Sequence, residues 1–189
     1  GSFDPEIIPY LIKRKGYSYA ITDAQDAGKP RLPDDDGLWL MDTATGESRL
    51  ILSYARVAEI HPDPDDFVET FCWMNHAIFN CDDSRVMVLF RYFPAHRRDG
   101  GHGWKTYLYT VGLDGSEPSC SLTHPHWAYG KVTHQMWGRT PTEILLDAEY
   151  RCRGGGEFTV YDDGDMPPRF RIVGELEFDG LADVEAERT

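Results

Sequence analysis

The sequence predicts an all-β fold built from repeated units of antiparallel strands. Short apolar segments with strand-like alternation are separated by turns rich in Gly, Pro and Asp, a pattern typical of hairpins. One stretch of sequence occurs twice in related form. The chain is 41% hydrophobic and 13% aromatic, which excludes a disordered polypeptide.

The repeated stretch starts at His76 and again at His134, an offset of 58 residues (134 − 76). Each copy predicts a short strand, a polar turn and an apolar strand, followed by a further strand that ends in an acidic, glycine-containing turn. Four-stranded units at such a period are typical of β-propeller blades. A closed propeller needs roughly four to eight blades of about 40 to 60 residues. With 189 residues, the chain is expected to be part of a larger propeller or to associate with a second copy.

The first unit is predicted at about residues 10–54. Pro9 leaves residues 3–15 open to a short helix or an edge strand. A strand from Gly37, a turn at Gly46 and a return strand at 49–53 form its outer half, and its inner half is expected in or before residues 10–22. Residues 55–71 predict a connector with a short helical turn near 65–70, capped by Asp63 or Asp65.

The second unit is predicted at about 73–123 and the third at about 127–173. Residues 174–189 would begin a fourth unit, because Leu181 falls at the position of the two repeated histidines. The repeat therefore predicts that the chain is a fragment that stops inside its fourth unit.

Composition excludes several function classes. A net charge of −13 without an extended basic face disfavours nucleic acid, and no apolar run reaches the roughly 18–20 residues that span a bilayer. The four cysteines form no Cys-x-x-Cys pair, which makes free buried thiols a better interpretation than zinc ligands or disulfides. Free thiols favour a reducing compartment such as the cytoplasm. These cysteines are Cys72, Cys81, Cys120 and Cys152.

Four segments together resemble the TolB-like, WD-type β-propellers, and within them the oligogalacturonate-lyase-like branch. The segments begin at Asp36, Asn75, Leu108 and Thr133, and the resemblance covers roughly residues 36–181. It implies β-elimination on acidic oligosaccharides, with a manganese ion held by several histidines and a glutamine. His134, Gln135 and His76 match those ligands, whereas Leu181 stands where relatives often have a further histidine.

The two histidines also have an interpretation without chemistry, in which each imidazole bonds a neighbouring unit and holds the repeats in register. Histidine nitrogen suits Mn²⁺, Fe²⁺ or Zn²⁺ if the two side chains converge. Both interpretations remain open from the sequence. The catalytic base is not predicted.

Residues 94–105 are predicted to form a loop that is locally basic, although the chain as a whole is acidic. It is predicted either to bind the carboxylates of a sugar acid or to be a solvated hairpin tip. Its candidate substrate-binding residues are Arg97, Arg98, His102 and Trp104.

For the remaining candidate residues, a structural role is favoured over a binding role. His124 and His126 flank Pro125 and could chelate a metal, but an exposed connector is favoured. The run Asp34 to Asp36 lacks the spacing of a calcium loop and predicts a solvated turn. Trp39 and Trp137 lie at strand-periodic positions and are expected in the core.

The sequence thus predicts a propeller fragment whose full-length parent acts as a lyase on acidic oligosaccharides, the isolated chain being inactive. The competing prediction is a non-catalytic segment that binds protein or glycan. In that case the open blade edges are expected to close a ring by homo-oligomerisation.

Overall fold

The structure, a computed structural model, describes residues 32–66, 72–92, 105–130, 133–148 and 156–176. These ranges contain ten strands in antiparallel sheets and little helix, which confirms the all-β class. The strands are β1 (Gly37–Met41), β2 (Ser48–Ser53), β3 (Cys72–Phe79), β4 (Arg85–Tyr92), β5 (Lys105–Gly112), β6 (Ser119–Leu122), β7 (Thr133–Trp137), β8 (Glu143–Ala148), β9 (Gly156–Asp162) and β10 (Arg171–Leu176). The helices are α1 (Tyr54–Ile60) and α2 (His124–Gly130), with a 3-10 turn at Pro64–Asp66.

The strands form three sheets in chain order. β1 and β2 make the first sheet, β3 to β6 the second, and β7 to β10 the third. Every strand pairs with its sequence neighbour in the same sheet, so the two larger sheets are meanders. We call β3–β4 and β7–β8 the leading hairpins, and β1–β2, β5–β6 and β9–β10 the trailing hairpins. The strands predicted in or before residues 10–22 lie outside the described residues.

The second sheet is buried on both faces, because alternate residues of a strand point to opposite sides. Val86, Val88 and Phe90 of β4 pack against the first sheet and α1. Met87 and Leu89 of the same strand pack against the third sheet. The sheets therefore stack in the order first, second, third. We call the side of each sheet toward the next one its front face, and the opposite side its back face.

Polar contacts reinforce the junction between the second and third sheets. The Arg85 Nε lies 3.3 Å from an Asp163 carboxylate oxygen, and the Ser121 and Tyr161 hydroxyls are hydrogen-bonded at 3.0 Å. Asn80 is 3% exposed; its Oδ1 accepts from two backbone N–H groups of its own turn, and its Nδ2 donates to the Pro141 carbonyl at 3.0 Å. Buried polar groups with partners on both sheets fix the relative position of those sheets.

Two local expectations from sequence were wrong. Helix α1 begins at Tyr54, one residue before the predicted connector 55–71, and takes up its first part, where no helix was expected. The Ser53 hydroxyl accepts from the Arg56 N–H at 3.0 Å and caps the helix. The helical turn expected near 65–70 overlaps the 3-10 turn Pro64–Asp66, and residues 67–71 lie outside the described part. Trp39 was expected in the core and is 50% exposed, whereas Trp137 packs between the second and third sheets.

The described cysteines are free thiols. Cys72 and Cys120 are half-buried and Cys81 is exposed, so burial holds for only part of the set. Burial raises the pKa of Cys120 to about 11. Within the described ranges, no helix is long and apolar enough to cross a membrane.

Candidate functional site

The two repeated histidines occupy the same unusual backbone position in both leading hairpins. The strand pairing shifts register between Asn75 and Ile78 in one hairpin, and between Thr133 and Met136 in the other. His76 has a φ of 57° and His134 a φ of 50°. A bulge that requires a left-handed residue redirects the side chain it carries. Both histidines therefore lie at equivalent left-handed bulges, 58 residues apart in the sequence.

The strands that carry these histidines lie side by side. β3 contacts β7, and the Trp137 indole N–H donates to the Ile78 carbonyl at 2.8 Å. This hydrogen bond joins positions close to each bulge. The neighbouring turns are also linked, through Asn80 and the Pro141 carbonyl. The two bulges consequently form one surface, which we call the histidine pair after His76 and His134.

The two histidines interact electrostatically, because His134 contributes to the pKa of His76. The pKa of His76 lies below its ordinary value, first because burial removes water, then because of the Arg91 guanidinium, and then because of His134. A lowered pKa keeps the His76 imidazole neutral at neutral pH, and the neutral ring is the form that binds metals.

His134 has a different partner. Its Nδ1 lies 3.6 Å from a carboxylate oxygen of Asp147 on the adjacent strand β8. The His134 side chain is 81% exposed and that of Asp147 31% exposed. At this distance the Asp147 carboxylate is an electrostatic neighbour of the imidazole rather than a hydrogen-bond partner.

Gln135, the third predicted metal ligand, is buried, whereas the side chain of the adjacent His134 is exposed. The residue is 5% exposed, and its Nε2 atom has no hydrogen-bond partner. Among the described residues, the Gln135 Nε2 donates no hydrogen bond to either imidazole. Its assignment as a ligand stays a prediction.

The two imidazoles are suitable ligands for a divalent cation, but two ligands alone do not make a complete site. Imidazole nitrogen suits Mn²⁺, Fe²⁺ and Zn²⁺. Across residues 32–66, 72–92, 105–130, 133–148 and 156–176, no group of three or more His, Cys, Asp and Glu side chains is arranged to hold a metal. His76 and His134 would therefore be two ligands of a site whose remaining ligands come from other groups.

The other predicted sites are dispersed or undescribed. Arg97, Arg98, His102 and Trp104 lie outside the described residues, as does Leu181. Asp36 has a turn role: its carboxylate accepts from the Gly37 N–H at 2.7 Å and its carbonyl from the Tyr54 N–H at 3.1 Å.

His124 and His126 lie in helix α2, not in the exposed connector that the sequence favoured. The Nδ1 of His124 accepts from the Thr106 N–H at 3.1 Å, and the Nδ1 of His126 is hydrogen-bonded to the Thr123 hydroxyl at 3.1 Å. Both rings are half-buried. These hydrogen bonds give the two histidines a structural role at the start of the helix.

Sequence reasoning missed a buried histidine, His61. It is 5% exposed, its Nδ1 accepts from the Asp63 N–H at 2.9 Å, and the Tyr107 ring lies 4.2 Å away between centroids. Further aromatic neighbours are Phe90, Tyr92 and Tyr109. Its position just after α1 would have marked it only if that helix had been predicted.

Comparison with known proteins adds no relative. No family model, no curated protein and no solved structure matches the chain.

Proposed function

We propose that the chain is a segment of a β-propeller of the oligogalacturonate-lyase-like kind. In this proposal the histidine pair belongs to the site where the parent protein binds an acidic oligosaccharide and a divalent cation, Mn²⁺. The observation that carries the proposal is the occurrence of two imidazoles at equivalent left-handed bulges of two adjoining strands. Left-handed backbone at a non-glycine residue costs about 1–3 kcal/mol and is concentrated at functional sites.

Each residue of the site has a task in this proposal. Neutral His76 and the imidazole of His134 hold the cation, and the neighbouring Asp147 carboxylate helps to orient the His134 ring. Arg91 provides a positive charge beside His76 that attracts a sugar carboxylate. A bound cation would polarise the uronate carboxylate and so acidify the adjacent C–H bond, which is the chemistry that β-elimination requires.

The cation is tested by titrating the chain with Mn²⁺ and following the spin-resonance signal of the free ion. Asparagine tolerates left-handed backbone, so His76→Asn and His134→Asn remove an imidazole while retaining the bulge. We expect each variant to weaken Mn²⁺ binding at least tenfold. His126→Asn removes a histidine outside the pair and should leave binding unchanged. Equal affinity of the wild type and His134→Asn would eliminate the metal site.

The substrate class is tested by binding oligogalacturonide and the same oligosaccharide with its carboxylates reduced to alcohols. We expect binding of the acidic form only, strengthened by Mn²⁺ and weakened by Arg91→Gln. Binding of both forms regardless of Mn²⁺ would instead support a non-catalytic glycan-binding segment. Activity of the parent protein is measured by the ultraviolet absorbance of the unsaturated product.

A further inference from the structure

The trailing hairpins of the first and second sheets are structural copies of each other. Leu38 pairs with Leu52 as Leu108 pairs with Leu122, and in both hairpins a register shift follows directly. All equivalent positions are 70 residues apart, as 108 is from 38. The helices that follow, Tyr54–Ile60 and His124–Gly130, obey the same offset. The first sheet is therefore built like the outer half of the second.

Equivalent positions on the back faces differ sharply in exposure. Trp39 is 50% and Met41 57% exposed, whereas their equivalents Tyr109 and Val111 are each 0% exposed. Tyr109 and Val111 are buried by the first sheet and α1. The first sheet thus carries the apolar residues of a covered face, and large exposed apolar side chains in a cluster mark an interaction surface.

The front face of the third sheet shows a mismatch in the same direction, at the other end of the stack. Leu145 and Phe158 are half-buried, while Val160, which pairs with Leu145 on the same face, is 3% exposed. By strand pairing the two half-buried residues correspond to Met87 and Leu108 of the second sheet, both 0% exposed because the third sheet covers them. The front faces of the first and second sheets are covered by the next sheet in the stack.

We propose that the 189-residue chain by itself pairs with a second copy, which packs the front face of its third sheet on the back face of the first sheet, around Trp39 and Met41. The reciprocal contact closes a head-to-tail dimer. In a longer parent protein, a further unit of the same polypeptide would take the place of the second copy.

The repeat indicates which surface covers Trp39 and Met41. The back face of the second sheet is covered by the front face of the first sheet, so the equivalent back face of the first sheet should be covered by the front face of another such sheet. Interfaces of this kind resemble a protein core divided between two chains. The inference does not depend on the histidine pair.

The test is the mass in solution, measured by light scattering at moderate salt, since two chains of net charge −13 repel each other at low salt. We expect twice the 21.5 kDa of one chain. Trp39→Glu damages the back face and Phe158→Glu the front face, so each variant alone should be monomeric. Met166→Glu is the matched control, because Met166 is 63% exposed, lies outside both faces and should leave the dimer intact.

Mixing the two variants distinguishes this arrangement from others. Trp39→Glu retains an intact front face and Phe158→Glu an intact back face, so their mixture should form a heterodimer through one interface. A pair formed by two back faces would lose dimerisation in Trp39→Glu alone and gain nothing on mixing. That result would overturn the proposal, as would a wild-type monomer at every concentration.

Circular dichroism and thermal unfolding establish that each variant folds. If Phe158→Glu fails to fold, Leu145→Glu takes its place on the same face. Mn²⁺ titration of Trp39→Glu separates this proposal from the proposed function, because Trp39 lies in β1 of the first sheet, whereas the histidine pair lies on β3 and β7.

Discussion

The two leading hairpins follow the same backbone path with opposite charges at an equivalent position. Ile78 pairs with Met87 and Met136 with Leu145, each residue being 58 positions from its counterpart. Arg85 opens β4, and its counterpart Glu143 opens β8.

The two charges select different neighbours. Arg85 reaches across to Asp163 of the third sheet, whose side chain is 6% exposed. Glu143 pairs within its own sheet with Arg171, which is 59% exposed. The two hairpins share their turns, bulges and alternation, but Arg85 adds an ion pair between two sheets, whereas Glu143 adds one within a single sheet.

The largest expected effect comes from removing the link between sheets. Arg85→Ala leaves the Asp163 carboxylate buried without its cation and also removes a hydrogen bond of 2.8 Å to the Thr110 hydroxyl. We expect a loss of about 3–5 kcal/mol in the free energy of unfolding, measured by urea denaturation.

Arg171→Ala is the counterpart in the third sheet. Because this pair is largely in water at the arginine end, its loss should cost less than about 1 kcal/mol. Equal losses for Arg85→Ala and Arg171→Ala would contradict the distinction drawn between the two hairpins.

A smaller effect tests whether the backbones are equivalent at the bulges. Glycine adopts positive φ without steric cost and alanine does not. We therefore expect His76→Gly to be more stable than His76→Ala by about 1 kcal/mol, and His134→Gly to exceed His134→Ala by a similar amount. A difference in only one hairpin would show that the bulges are not equivalent. Thermal unfolding of the four variants measures this directly.

The smallest effect concerns pH. Folding lowers the pKa of His76 below 6.5, through burial first, then Arg91 and His134. The unfolded chain consequently takes up the proton first as pH falls, so stability from neutral His76 is complete above 6.5 and is lost below it. His126, whose pKa is lowered by burial, contributes in the same direction. Urea unfolding on both sides of pH 6.5 should show a shallower pH dependence for His76→Asn, and an unchanged slope would count against this assignment.

The causes of the His76 shift can be separated by nuclear magnetic resonance titration. Arg91→Gln should raise the pKa of His76 more than His134→Asn does, because the guanidinium is the larger of the two influences. No change in either variant would show that the imidazole does not face these groups.

Much of the fold follows from local pattern. The repeat from His76 and His134 aligns the residues that pair in the two leading hairpins, and Gly37 to Ser53 was predicted as the hairpin that the structure contains. Alternation assigns residues to opposite faces without showing which face is covered, which is why Trp39 was misplaced.

Other features depend on contacts that a sequence pattern does not carry. The left-handed conformation of the two histidines arises from register shifts set by the partner strands. Arg85 finds Asp163 only because the second and third sheets stack. Candidate ligands could therefore be named from the sequence, but their convergence could not.

The most direct test of the account is whether one cation meets both members of the histidine pair. Mn²⁺ broadens the magnetic resonance signals of nearby protons, so substoichiometric Mn²⁺ is added while the imidazole signals of His76, His134 and His126 are followed. The account predicts that the His76 and His134 signals broaden together, well before the His126 signal. Broadening of one member of the pair alone, or of all three rings equally, would contradict it.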